Sequence, residues 1–118
     1  LMRAGISDWR SFHGMTVISD WDSIYYGDAD PWDPDGVYRR FSPVTHVKNV
    51  KTPTLIIHGD ADRLVPIQQA HWIMPKFKEA GIEAELLVMP GKDHGWEPEP
   101  EELKKFGDWF DKHLLGDN

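Results

Sequence analysis

The sequence predicts an α/β fold with parallel strands, on three observations. The unbroken apolar run Thr54-Leu55-Ile56-Ile57-His58 reads as a strand covered on both faces. A helical stripe at Ile67, Ala70, Met74 and Phe77 follows it, and Ala84 to Met89 forms a second strand. Strand, helix, strand over this length is a βαβ unit with a right-handed crossover, so both strands deliver their following loops to one edge of the sheet. Those loops are His58-Gly59-Asp60-Ala61-Asp62 and Gly91-Lys92-Asp93-His94-Gly95, where open parallel sheets build their sites.

At 118 residues the chain has room for one domain with a modest core. Residues 1–50 read as mainly helix and loop, and residues 51–118 as a βαβα segment carrying the acid and the histidine. Ser7 or Asp8 can cap a brief helix from Trp9 to Met15. Val17, Ile18, Trp21, Ile24 and Tyr25 are spaced as a helix over Val17 to Tyr26. The turn-rich Gly27 to Gly36 is loop; its acids lack the glycine and glutamate spacing of a calcium-binding loop. Val37 to Phe41 is a short helix or turn stopped by Ser42-Pro43, and Val44 to Val50 leads into the first strand. Pro66 suits a first helical turn and Gly81 a helix C-cap. Pro75 predicts a kink near Trp72 or a helix in two pieces, because it removes a hydrogen bond and costs about 3 kcal/mol. Pro100 opens a last helix with Leu103, Phe106, Phe110 and Leu114 as its stripe, widened by Trp109 and His113 and ended by Gly116.

The formal charge of −7, from 20 acidic and 13 basic residues, argues against a nucleic-acid or anionic-membrane surface. There is no cysteine, hence no disulfide, thiolate metal site or cysteine nucleophile, and a reducing, cytoplasmic setting is the expectation. No apolar run has the length of a membrane span, and Leu1-Met2-Arg3-Ala4-Gly5 lacks the layout of a signal peptide.

An acid in one loop and a histidine about thirty residues later in the next are what a hydrolytic triad of an α/β sheet needs. The carboxylate accepts the imidazole Nδ1 hydrogen and Nε2 takes the proton of a nucleophile. Asp60 and Asp62 both qualify as the acid, with Asp93 as a support residue and His58 as a hydrogen-bonded core histidine. Triads of this fold place a serine upstream in a Gly-x-Ser-x-Gly elbow, and these residues contain none. The nearest string, Gly5-Ile6-Ser7-Asp8-Trp9, has tryptophan where the elbow requires a small residue. A metal reading of His58, Asp60, Asp62 and His94 needs no cysteine, but there is no His-Glu-x-x-His pair and triad chemistry explains the spacing with fewer assumptions, so no metal is expected. His13, His46, His71 and His113 have no metal-ligand spacing.

The strings His58-Gly59-Asp60-Ala61-Asp62-Arg63-Leu64-Val65-Pro66-Ile67-Gln68-Gln69, Gly91-Lys92-Asp93-His94-Gly95-Trp96 and Ala4-Gly5-Ile6-Ser7-Asp8-Trp9 together resemble the C-terminal part of the prolyl oligopeptidase family of serine peptidases. The acylaminoacyl-peptidase and dipeptidyl-peptidase-like branches are most similar, while esterases and dienelactone-type hydrolases share parts of the pattern. The resemblance implies the C-terminal portion of an α/β-hydrolase fold, with an incomplete parallel sheet and flanking helices. It implies that Asp62 is the triad acid and His94 the base, and that the substrate is a peptide or acyl-peptide. The family's serine precedes the Ala-Gly-x-Ser-Asp-Trp string, so the chain is expected to begin after its own nucleophile and to be inactive alone. Aromatic residues from Trp21 to Trp32 are candidates for a specificity pocket, although their spacing assigns none. No cofactor is implied. With central strands missing, the Thr54 to His58 strand is expected to have an unpaired edge and to drive homo-oligomerisation. A folded module that associates without turnover, or a fragment of an esterase or dienelactone-type hydrolase, is the alternative.

Overall fold

The computed structural model describes residues 1–115. Its centre is β2 (Thr54–Gly59), the middle strand of a three-stranded parallel sheet ordered β1-β2-β3. β3 (Ala84–Met89) pairs with it from Thr54↔Ala84 to Gly59↔Met89. β1 is only Met2–Arg3, paired with Ile56 and Ile57, and the Ala4 N–H extends it to the Ile57 carbonyl at 3.0 Å. The expected unpaired edge of β2 is therefore partly covered. A two-residue strand has no periodicity to read, and its partners lie more than fifty positions away.

Side chains alternate across β2, which builds one core on each face. Ile56 packs with Val47, Ala70, Ile73 and Phe77, all buried, under helix α4 (Gln68–Glu79) and the 3₁₀ stretch Pro43–Asn49. On the other face, Leu55 and Leu87 meet Trp109 of helix α5 (Pro100–Phe110) around a cavity of about 220 Å³. Gly81 ends α4 as predicted. It has φ +71°, its N–H reaches the Lys78 carbonyl, and the Ile82 N–H reaches the Phe77 carbonyl. Those two bonds close a Schellman cap.

Four local expectations are revised. α4 runs unbroken through Pro75, and His71, whose carbonyl Pro75 leaves without its helical N–H partner, is an exposed residue. The helix expected over Val17 to Tyr26 shrinks to Ser23–Tyr26. Thr16 is the reason. Its hydroxyl donates to the Leu64 carbonyl and accepts from the Ile18 N–H, while the Val17 N–H bonds the Arg63 carbonyl. These bonds take the backbone away from a helical ladder. Pro66 lies just before α4, accepting the Gln69 N–H, rather than within its first turn. In α5 the predicted stripe is largely outside, with Leu103, Phe110 and Leu114 all exposed, and Trp109 and Glu102 form the buried side. Helical continuation through Asp111–Leu115 is π-type, and the predicted stop at Gly116 lies outside the described residues.

The first fifty residues wrap the sheet's edge. Asp8 caps α1 (Trp9–Met15), its carboxylate accepting the Arg10 N–H, as the sequence predicts. Gln69 pins this segment to α4. Its fully buried amide oxygen accepts the Ser7 and Asp8 N–H groups, and its amide nitrogen donates to the Ser11 hydroxyl. A second anchor joins His13 to buried Asp22 at 2.9 Å beside Tyr38, on the short helix Val37–Arg40.

Burial first, then the nearby Asp22 charge, push the Tyr38 hydroxyl from 10.0 up to about 12. The unfolded tyrosine ionises near 10 while the folded one keeps its proton to about 12, so the folded state binds more protons between those values. Stability from Tyr38 is thus full below pH 10 and lost as pH rises to 12. Urea midpoints across that range are expected to fall more steeply for the native chain than for Tyr38→Phe; equal slopes refute the coupling.

Candidate active site

The site is built where β2 and β3 end side by side. Gly59 lets the two following loops touch, since a side chain there would run into the Lys92 backbone. Asp60 and Ala61 N–H groups bond the Met89 and Lys92 carbonyls, and the Asp60 carboxylate accepts the Gly91 N–H at 2.6 Å. Gly91 supplies the left-handed turn, φ +69°, that reverses the second loop. Asp60 is therefore spent on stitching the loops together.

Asp62 is held differently. Its side chain is fully buried, and Oδ1 accepts the Leu64 N–H at 3.0 Å and the Val65 N–H at 2.8 Å. Oδ2 lies 2.9 Å from Nδ1 of His94. A carboxylate only accepts, so Nδ1 of His94 carries the hydrogen of this bond and Nε2 is the nitrogen that faces outward. The His94 side chain is 39% exposed, and its Nε2 makes no hydrogen bond among the described residues. Asp93 orients the loop, its carboxylate accepting the His94 N–H at 2.7 Å. His58 lies beneath, its Nε2 2.7 Å from the Val65 carbonyl and 3.5 Å from Asp62 Oδ2.

The candidate acid and candidate base thus meet through one carboxylate–imidazole bond. Such a pair fixes the ring's tautomer, stabilises the imidazolium and presents Nε2 as a proton acceptor. Four of the five serines are engaged in bonds to backbone carbonyls away from His94. Ser7 and Ser42 are buried, donating to the Gln69 and Tyr38 carbonyls, and Ser11 and Ser23 donate to Asp8 and Asp20.

Two recesses of about 590 Å³ each flank His94. One is polar-rimmed, with Arg3 stacked 4.3 Å from the Trp96 ring and bonded to the Trp96 carbonyl. The other is apolar, lined among others by Ile6, Trp9, Phe12, Ile18, Trp21 and Leu64. Its wall brings Trp9 and Trp21 together as stacked rings 6.1 Å apart. Of the aromatic candidates from Trp21 to Trp32, Trp21 lines this recess and Trp32 instead packs on His13. Trp9, Ile6 and Leu64 carry no separate signal in the sequence, because the recess draws them from two segments more than fifty positions apart.

The sequence profile of the prolyl oligopeptidase family matches residues 1–117. An uncharacterised peptidase of Bacillus subtilis, YuxL, is 33% identical over 92% of this chain and 18% of its own length. The acylamino-acid-releasing enzyme of Arabidopsis thaliana is 30% identical over 94% of this chain and 16% of its own. Among solved structures, the acylaminoacyl peptidase of Pyrococcus horikoshii superposes with a TM-score of 0.85 at 28% identity, covering 98% of this chain and 20% of that one. The chain therefore spans less than a fifth of these two curated relatives and a fifth of the solved chain. With its open parallel sheet, helices on both faces and a match over nearly all its length, the chain has an α/β-hydrolase-type fold and belongs to the prolyl oligopeptidase family.

Proposed function

We propose that these residues supply the acid, Asp62, and the base, His94, of a serine-type hydrolase that cleaves peptide or acyl-peptide bonds. The 2.9 Å bond between Asp62 Oδ2 and His94 Nδ1 carries the reading. In the reaction, His94 Nε2 takes the hydroxyl proton as the serine oxygen attacks the substrate carbonyl. The same proton then passes to the leaving amine as the C–N bond breaks and an acyl-enzyme remains. Water, deprotonated by His94, releases the acid and returns the serine hydroxyl. Asp62 stays ionised throughout. The apolar recess beside His94 suits an apolar side chain next to the scissile bond.

The nucleophile is proposed to lie outside these 118 residues, which contain no Gly-x-Ser-x-Gly string. The chain by itself is then a catalytic-domain fragment without turnover. β1 covers only Ile56 and Ile57 of β2, so self-association through the open backbone at the remaining positions belongs to the same proposal. A cytoplasmic setting fits the absence of cysteine; no described helix is long and apolar enough to cross a membrane. A fluorophosphonate probe is expected to leave this chain unlabelled, and to label a serine elsewhere in a polypeptide that carries both parts. Covalent labelling of Ser7, Ser11, Ser19, Ser23 or Ser42 would overturn the assignment. Light scattering on the same sample is expected to give a mass above that of the monomer.

A further inference from the structure

His58 ends the buried run of β2 with no exposed surface, and the acid–base pair does not require it. Its Nε2 is 2.7 Å from the Val65 carbonyl oxygen. A carbonyl only accepts, so Nε2 carries the hydrogen. Nδ1 is buried with no hydrogen-bond partner among the described residues, and a second hydrogen there would leave a buried cation with an unsatisfied donor. The geometry therefore places a hydrogen on Nε2 of His58. The same N–H faces Asp62 Oδ2 at 3.5 Å, the oxygen that His94 Nδ1 reaches at 2.9 Å. At that longer distance the contact is electrostatic rather than a full hydrogen bond, and the dry surroundings screen it weakly.

We propose that His58 is a positioning residue for the Asp62–His94 pair, its Nε2–H holding Asp62 Oδ2 in the direction of His94. The inference rests on the acid–base reading above. Val65 makes the arrangement a closed ring: its N–H donates to Asp62 Oδ1 and its carbonyl accepts from His58. Rotating the carboxylate would draw Oδ1 off the loop amides and Oδ2 off the His58 dipole together. A buried histidine that merely satisfied the Val65 carbonyl would stabilise the loop and leave His94 unaffected.

The two roles separate by NMR of the imidazoles in the ¹⁵N-labelled chain. His58 is expected with a hydrogen on Nε2 and His94 as the Nδ1–H tautomer, with a downfield, carboxylate-bonded proton in slow exchange. In His58→Phe, which keeps bulk and loses the N–H, the His94 proton signal is expected to vanish into exchange with mixed tautomers. His58→Gln, whose amide offers an N–H at similar reach, is expected to restore it. A His58→Phe chain that melts earlier but keeps the His94 signal overturns the proposal. Should that variant fail to fold, the unaltered chain still decides, because His58 protonated on Nδ1 alone, with no hydrogen on Nε2, overturns it too. None of these readouts needs turnover, so they stand apart from activity tests of Asp62 and His94.

Discussion

Asp62→Asn, made in a polypeptide that carries these residues with their nucleophile, is expected to lower kcat by about 10⁴-fold with little change in KM. The amide oxygen can still accept the Leu64 and Val65 N–H groups that hold Oδ1, so the loop keeps its shape. That choice turns the amide nitrogen toward His94 Nδ1, where Oδ2 now lies at 2.9 Å. An N–H donor there forces the imidazole into the opposite tautomer, with the hydrogen on Nε2 and no lone pair for the serine proton. His94→Ala removes the base outright and is expected to fall at least as far, leaving the residual rate that binding and oxyanion contacts supply. Steady-state kinetics at neutral pH check both. Loss of less than about tenfold in either variant would remove Asp62 and His94 from the mechanism.

Gly59→Ala is expected to be the most damaging single methyl in the chain. A Cβ at that position would stand 2.1 Å from the Lys92 carbonyl oxygen, 2.7 Å from its carbon and 3.0 Å from the Asp93 carbonyl oxygen. These are backbone atoms of the loop that carries His94, so no side-chain rotation relieves the contact. Relief requires the two loops to separate by about 1 Å, at a cost of roughly 3 kcal/mol in stability. A displacement of that size at the base is worth about 10² in rate where turnover is measured. Gly107→Ala provides the contrast. It lies inside α5 with nothing within 4 Å of an added methyl, and is expected to gain about 1 kcal/mol from helix propensity. Urea midpoints compare the two directly, and a Gly59→Ala chain as stable as Gly107→Ala would refute the close-approach argument.

The parts of the fold legible in sequence are those whose partners are local or whose pattern repeats. β2 and β3 announce themselves as apolar runs, and the Gly81 cap and the Asp8 cap each depend on atoms a few residues away. The Val17 to Tyr26 helix does not form in full because the Thr16 hydroxyl finds the Leu64 carbonyl, forty-eight positions distant, and spacing alone carries no sign of such a bond. The α5 stripe is apolar as its spacing says, but spacing does not give its direction: Trp109 turns inward and Leu103 outward, which depends on where a narrow sheet lies beneath the helix.

By itself, the sequence determined the βαβ core, the two loops at one sheet edge and the pool of acids and histidines they hold, because hydrophobic period and turn chemistry are local properties. Its motif strings also pointed to the family that the profile match then bore out. Residue chemistry and spacing left Asp60 and Asp62 both open, only the motif resemblance preferred Asp62, and the tertiary contacts show how the two carboxylates are used. Asp60 and Asp62 are two residues apart and equal in chemistry, yet one carboxylate is taken by the Gly91 N–H and the other by His94 Nδ1. That division is set by the close approach at Gly59 and by the Leu64 and Val65 amides, contacts between segments that meet only when the strands are paired. The recess of Ile6, Trp9, Trp21 and Leu64 has the same origin, since a pocket is a property of packed distance and no single segment contains it.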